Sequence, residues 1–352
     1  MEKCTCVIFI SPETDMQPLC SKKNPAHLVP VLTYPLILHA LKLASEISEK
    51  IFIVGLEVYK EKVVEILEIF NTNSEYISID NYMGTFKFLC DNRDLFRTKN
   101  LLILKSNNLL LESIKKIYAE FQEKVDSKIL VFFRENKNSK ISGFHKNKVV
   151  FYGDKLQISP IGFLRHKKIS FRNNLEVCDF YFIKRELLVC DGRKSFKNDF
   201  LPHVASSGKQ HLVRFKMFRG EYFQMRNWEE YKKSIFSLKR ILKFSDKEAH
   251  EGVFYRSGPH SDSRESIICH SSVIGDCSLR NSVIERGVLI RDGCVIENSI
   301  ILSKSVINRN CIIRNCIIRE KTEVEESTLL ENVNIGCEVK VGEDEYANIN
   351  LI

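Results

Sequence analysis

The chain has 352 residues, enough for two domains, and 44% of them are apolar, enough to fill a core in each. The opening MEKCTCVIFI has no basic region leading into a long apolar stretch, and no run of 18 uncharged apolar residues follows, so a soluble cytosolic protein without secretion signal or membrane span is expected. The net charge of +8 comes from dispersed Lys and Arg with short clusters such as Arg165-His166-Lys167-Lys168; that composition suits a solvated surface, with an acidic partner or RNA as the alternative. The twelve cysteines show neither disulfide-framework nor zinc-ribbon spacing, and the one close pair is Cys4-Thr5-Cys6, which points to a reducing compartment.

Strand-like and helical stretches alternate through the first 135 residues. Strands are predicted at CVIFI (6–10), IFIV (51–54), YISI (76–79), LLIL (101–104) and ILVFF (129–133). Helices are predicted near 35–48, 57–70, from about Thr85, and 113–121. This is the order of an α/β domain with a mainly parallel sheet, whose ligands bind at the carboxyl ends of the strands. The first such loop, ISPETDMQPLCSKKNPAHLVPV, contains no glycine. A phosphate cradle needs converging backbone N–H groups, yet Pro12, Pro18 and Pro25 remove donors and Glu13 and Asp15 repel anions. No Walker loop or dinucleotide fingerprint occurs elsewhere.

Residues 168–188 read as strand, turn, strand and helix start. In RNWEEYKKSIFSLKRILKFSD (226–246) the apolar residues Trp228, Tyr231, Ile235, Leu238 and Leu242 are spaced 3, 4, 3 and 4, which predicts one amphipathic helix with Trp228 as a packing anchor. A polar segment with Gly252, Gly258 and Pro259 marks a boundary.

From about Ser266 to Ala347 the sequence repeats every 17 residues, and Asn281, Asn298, Asn315 and Asn332 each open a line. Three columns are apolar in every line: Ile284, Ile290, Ile296; Ile301, Ile307, Ile313; Ile318, Val324, Leu330; and Ile335, Val341, Ala347. The same spacing upstream selects Ile267, Val273 and Leu279, for five coils and fifteen inward side chains. Steps of 6, 6 and 5 describe a triangular coil with three short strands, the hexapeptide parallel β-helix. Cys277, Cys294 and Cys311 should stack in a file, as small corner thiols or, alternatively, as thiolates around a metal. The asparagines should form a corner ladder.

Three segments carry a family resemblance. PAHLVPVLTYPLILHALKLASEISEKIFIVG (25–55) looks like PKPLLPVxxxPLIxxxLxxLxxxGxxxIxVV, YMGTFKFL (82–89) like LGTAxxLR, and LLILKSNNLL (101–110) like LVLSGDxxx. With the β-helix they make the chain resemble the sugar-nucleotide pyrophosphorylases and their non-enzymatic relatives in the initiation factor 2B complex. ISFRNNLEVCDFYFIKRELL (169–188) and SFKNDFLPHVASSGKQ (195–210) are similar to the gamma-type members. The resemblance implies a Rossmann-like nucleotidyltransferase fold followed by a left-handed β-helix. The implied boundaries are an α/β domain over 1–225, a helix and linker over 226–263, and the β-helix over 264–352.

Departures from the enzyme pattern point away from catalysis. The glycine loop GGxGTRLxPLT is replaced by Ser11 to Leu19 without Gly or Arg, the lysine of PKP falls on Ala26, and the metal-binding aspartate falls on Asn107. Nucleotidyl transfer depends on metal, lysine and backbone donors, so no catalytic residue, metal or cofactor is expected. Gly84 and Thr85 keep the pattern that holds the nucleotide in the enzymes, and a helix entry explains them equally. The resemblance implies a docking subunit that partners an epsilon subunit to promote GDP/GTP exchange on initiation factor 2, without direct nucleic-acid or membrane contact. In this family epsilon carries its exchange domain after the β-helix, whereas here the chain stops at Ile352 with the last coil. An active mannose-1-phosphate guanylyltransferase is the alternative. A hexapeptide acyltransferase is disfavoured, since from Ser272 onward the coils contain no histidine and His270 lies in the first turn.

Overall fold

A computed structural model describes residues 2–10, 26–32, 34–69, 73–111, 113–124, 126–136, 140–153, 169–207, 209–244, 255–257, 266–269 and 271–351. The chain forms two compact units, Met1–Ser11 with His39–Tyr222, and Pro12–Leu38 with Phe223–Ile352.

In the first unit apolar runs become strands, and the central ones, such as Cys4–Phe9, Asn100–Lys105 and Ile129–Glu135, are buried on both faces, which suits unbroken branched and aromatic sequence. In chain order these are β1 (Cys4–Phe9), β2 (Ser48–Leu56), β3 (Ser74–Ile79), β4 (Asn100–Lys105), β5 (Ile129–Glu135), β6 (Ile141–His145), β7 (Lys148–Gly153), β8 (Ser170–Arg172), β9 (Leu175–Lys184) and β10 (Val213–Met217). They form one sheet in the order β8-β6-β7-β10-β5-β9-β4-β1-β2-β3. The helices α1 (Leu36–Ser45), α2 (Lys60–Ile69), α3 (Thr85–Asp91) and α4 (Lys115–Glu123) fall where the sequence placed them.

The sheet is mixed rather than mainly parallel. β1, β2, β3 and β4 pair in parallel, as does β10 with β5, but β9 runs antiparallel to both β4 and β5, β7 runs antiparallel to β6 and β10, and β8 runs antiparallel to β6. The reason lies in β9: its ten residues enter between β4 and β5, where a parallel crossover would have left them adjacent. Stacked and edge-to-face rings fill the layers, among them Phe86 on Phe200 at 3.9 Å, Tyr181 on Phe196 at 3.5 Å and Phe132 on Phe180 at 4.4 Å.

In the second unit a helix, α5 (Trp228–Phe244), begins where Asn227 Oδ1 accepts the Glu230 N–H at 2.9 Å and the Glu230 carboxylate accepts the Arg226 N–H at 3.2 Å. Tyr231, Ile235 and Leu238 are buried, Trp228 is half-buried, and the Tyr231 hydroxyl donates to the Pro30 carbonyl at 2.6 Å. The Lys232 ammonium donates to Asn315 Oδ1, and burial pushes its pKa down to about 8. A base whose folded pKa is depressed costs stability below that pKa, and the cost disappears as pH rises from about 8 towards 10.5. Lys232→Met should therefore stabilise the unit at pH 7 by about 1 kcal/mol, after allowing for solvent screening. Urea midpoints of variant and parent should draw together above pH 8 and converge near pH 10.5.

The tail is a left-handed parallel β-helix with three faces, all neighbouring rungs parallel. Face A stacks Ile267–Cys269, Val283–Ile284, Ile300–Ile301, Ile317–Ile318, Asn334–Ile335 and Asn350–Leu351. Face B stacks Val273–Ile274, Leu289–Ile290, Val306–Ile307, Glu323–Val324 and Lys340–Val341. Face C stacks Ser278–Arg280, Val295–Glu297, Ile312–Arg314, Leu329–Glu331 and Glu345–Ala347. The three inner lines of the repeat are placed as the sequence predicts, with Ile290, Ile307, Ile313 and Val324 among the buried core.

The two end coils correct the predicted inward set. Ile268 and Ile274 join the core in place of Ile267 and Val273, and Val273 is 64% exposed; at the other end Tyr346 packs against the core while Ala347 is exposed. The cause is one missing residue at the corner between faces B and C. Inner coils turn it with sequences such as Arg291-Asp292-Gly293-Cys294, the first coil with Gly275-Asp276-Cys277, and Ile268 pairs with Ile284 only 16 residues on. Leu330 likewise pairs with Tyr346. Asp292 closes the first shortened corner by accepting the Asp276 N–H at 2.9 Å.

The corners explain the remaining columns. Asn281, Asn298, Asn315, Asn332 and Asn348 have φ between 45° and 57°, the left-handed conformation that Asn tolerates better than other side-chain-bearing residues. Their amides bond from coil to coil, Asn281 to Asn298 at 2.7 Å and Asn332 to Asn348 at 3.0 Å, which forms the expected ladder. Cys294 and Cys311 donate to the carbonyls of Asn308 and Glu325 at 2.9 and 3.0 Å. Ser305 to Arg319 and Thr322 to Gly336 do the same at another corner, and Thr328 to Gly342 continues the cysteine file itself. The thiols thus serve as hydroxyl-sized donors 14 residues from their acceptors, and burial pushes Cys277 up to about 12. Cys311→Ser is expected to keep the melting temperature within about 2 °C, whereas Cys311→Val, which loses the donor, should lower it by about 4 °C in a thermal melt.

Candidate functional site

The carboxyl ends of β1 and β4 lie side by side, tied by the Ser106 N–H donating to Phe9 O at 2.8 Å. Asn107 follows at once and is 6% exposed. Its Oδ1, and the Ser106 hydroxyl beside it, have no hydrogen-bond partner among the described residues. A neutral amide supplies no charge for a divalent cation, so this position differs chemically from a metal-binding carboxylate.

Gly84 and Thr85 sit at the start of α3, and here the chain itself occupies the helix N-terminus. The Phe86 and Lys87 N–H groups both donate to the carbonyl of Lys194, at 2.9 and 3.1 Å, and the Phe196 N–H lies 3.5 Å from Thr85 Oγ1. Gly84 has φ +98°, and a Cβ there would lie 2.5 Å from Lys194 O. Those amides are the donors that an incoming phosphate would need. Ser195 holds the occupying segment in place: its Oγ accepts the Asn198 N–H at 3.1 Å, and Asp199 Oδ2 accepts the N–H groups of Lys194 and Ser195 at 3.1 and 2.8 Å.

Near Asn107 the structure assembles a charged cluster that sequence reasoning did not single out. Asp179 lies where β9 shifts register between Val177 and Tyr181, and Lys105 and Lys197 reach its carboxylate at 3.2 and 3.5 Å. Glu176 receives Arg134 at 3.2 Å, Asn136 at 2.7 Å and Lys197 at 3.5 Å. Asn108 Nδ2 donates to Asp179 O at 3.0 Å, while the Tyr222 hydroxyl donates to Asn108 Oδ1 at 3.1 Å and accepts the Asp179 N–H at 2.9 Å. Both carboxylate side chains are only 12% exposed and shared among three cations, so the cluster binds its own strands together before it binds anything else. The available signal was the interruption of an apolar strand by Glu176 and Asp179 and the lysine that ends LLILK.

The glycine-free loop, residues 11–25, and His270 lie outside the described residues, as does the side chain of Ala26. Among the described residues no group of His, Cys, Asp and Glu is arranged to hold a metal, and no helix is long and apolar enough to cross a membrane.

One family model matches, the GlmU-like C-terminal hexapeptide, over residues 251–347. It covers the β-helix and the segment leading into it, and with the mixed sheet it gives a nucleotidyltransferase-like architecture. Comparison with the curated proteins gives no match.

Proposed function

We propose that this chain is a non-catalytic, gamma-type subunit of the initiation factor 2B exchange complex, a pseudo-nucleotidyltransferase that docks with an epsilon subunit in the cytosol and promotes GDP/GTP exchange on initiation factor 2. The observation that carries the reading is the start of α3, where the amides available to a nucleotide are consumed by Lys194 O. Asn107 in place of a metal-binding carboxylate supports it further. An exchange role would be positional, since nothing in this reading asks the chain to perform chemistry. Co-expression with an epsilon subunit tests it: a stable complex with faster GDP release than epsilon alone is expected, and no complex or unchanged exchange would overturn it.

The second reading, an active sugar-1-phosphate nucleotidyltransferase, is favoured by the buried Ser106 and Asn107 polar atoms and the adjacent Lys105, Asp179 and Lys197. Its test is pyrophosphate release from a nucleoside triphosphate and a sugar phosphate, lost in Asn107→Ala.

A further inference from the structure

Face C of the β-helix carries a charge pattern on its outer side. The central residue of each strand points inward, so the flanking residues form two outward columns. Over the first four rungs one column is Ser278, Val295, Ile312, Leu329 and the other is Arg280, Glu297, Arg314, Glu331, and the fifth rung ends them with Glu345 and the uncharged Ala347. The second alternates in sign rung by rung, and Arg280, Arg314 and Glu331 are exposed. Within the chain, Arg314 Nε meets Glu297 Oε2 at 3.1 Å. Successive rungs are about 4.8 Å apart, so the four charges form a rod about 14 Å long.

An even, alternating column is complementary to itself when turned end over end. A two-fold axis between the rungs of Glu297 and Arg314 sets Arg280 of one copy opposite Glu331 of the other, and Glu297 opposite Arg314, with every pair attractive. The same axis sets the half-buried Val295 opposite Ile312. The other faces lack this property. On face A the outward Val283, Ile300 and Ile317 are already buried within the chain, and on face B the outward column runs Val273, Leu289, Val306, Glu323, Lys340 without symmetry.

We propose that face C is the contact surface between two copies of this chain, packed antiparallel about that axis. The inference goes beyond the docking reading and does not depend on it. The strip is narrower than a standard interface, so the association is weak and salt-sensitive.

Sedimentation velocity on the full chain at low salt, from about 5 to 300 µM, tests it in the range expected of a small interface. The parent, Arg280→Glu, Glu331→Arg, the double exchange and an equimolar mixture of the two single variants are compared. Each single variant places like charges at both symmetry-related contacts and should weaken the dimer about tenfold or more. The double exchange, and the mixture as a heterodimer, should recover to within about threefold of the parent, because both restore opposite charges. Far-ultraviolet circular dichroism confirms that the variants fold. A parent that stays monomeric, single variants that associate like the parent, or a double exchange as weak as the singles overturns the proposal. So does a parent that pairs through these residues only with a different β-helix chain.

Discussion

Replacing Ile307 by Asp is expected to abolish cooperative unfolding of the β-helix. Ile307 is fully buried in the third coil, between Ile290 and Val324 on the same face, with further coils on either side. A carboxylate there has no hydrogen-bond partner to compensate the loss of water, and the side chain that it replaces contributed about 2 kcal/mol of apolar burial. The cost should reach about 5 kcal/mol or more. Rungs in such stacks are stabilised only by their neighbours, so the damage propagates in both directions. Limited proteolysis should then cut within 266–351 while the first unit keeps its own urea transition; a variant with protected tail peptides would count against a core built this way. Ile307→Val should cost only about 1 kcal/mol in the same assay, because shape and polarity are kept.

The second large effect concerns Gly84. Gly84→Ala forces a Cβ to within 2.5 Å of a backbone carbonyl at φ +98°, and the carbonyl cannot retreat without releasing the amides of Phe86 and Lys87. Backbone strain of about 1–2 kcal/mol and the displaced contact together should cost about 3 kcal/mol. Gly192 provides the internal control. Its φ is +86° but nothing lies within 4 Å of its Cβ position, so Gly192→Ala should cost about 1 kcal/mol, the strain alone. Chemical denaturation of the two variants separates conformation from crowding. Equal losses would mean that the Lys194 contact does not govern the position.

The repeat was legible because each inner coil spends the same 17 residues and puts a branched side chain at each inward position, a pattern that depends only on local spacing. The end coils were misread for the same reason: a single deletion at one corner shifts by one the inward positions that lie beyond it, and Val273 is as apolar as the Ile274 that replaces it. In the first unit, element types were readable from apolar runs, but strand direction was not. Whether β9 enters parallel or antiparallel depends on long-range pairing with β4 and β5, and β10 joins the sheet beside β5 from far along the chain. The occupation of the α3 N-terminus by Lys194 was equally hidden. It joins residues over a hundred positions apart through a backbone carbonyl, a group every residue possesses.

The left-handed residues at the corners make the inner rungs interchangeable parts. Removing residues 298–314 would join Glu297 directly to Asn315, and Asn281 would then meet Asn315 at the place where it now meets Asn298. Every later side chain would keep its face, and the tail would simply be one rung shorter. Cutting out sixteen residues instead would rotate the whole remainder, turning Ile318 and Val324 out and Lys and Glu in. The length of this stack can therefore change in whole 17-residue steps through its middle, whereas its two 16-residue ends are fixed points of register that no inner rung can replace.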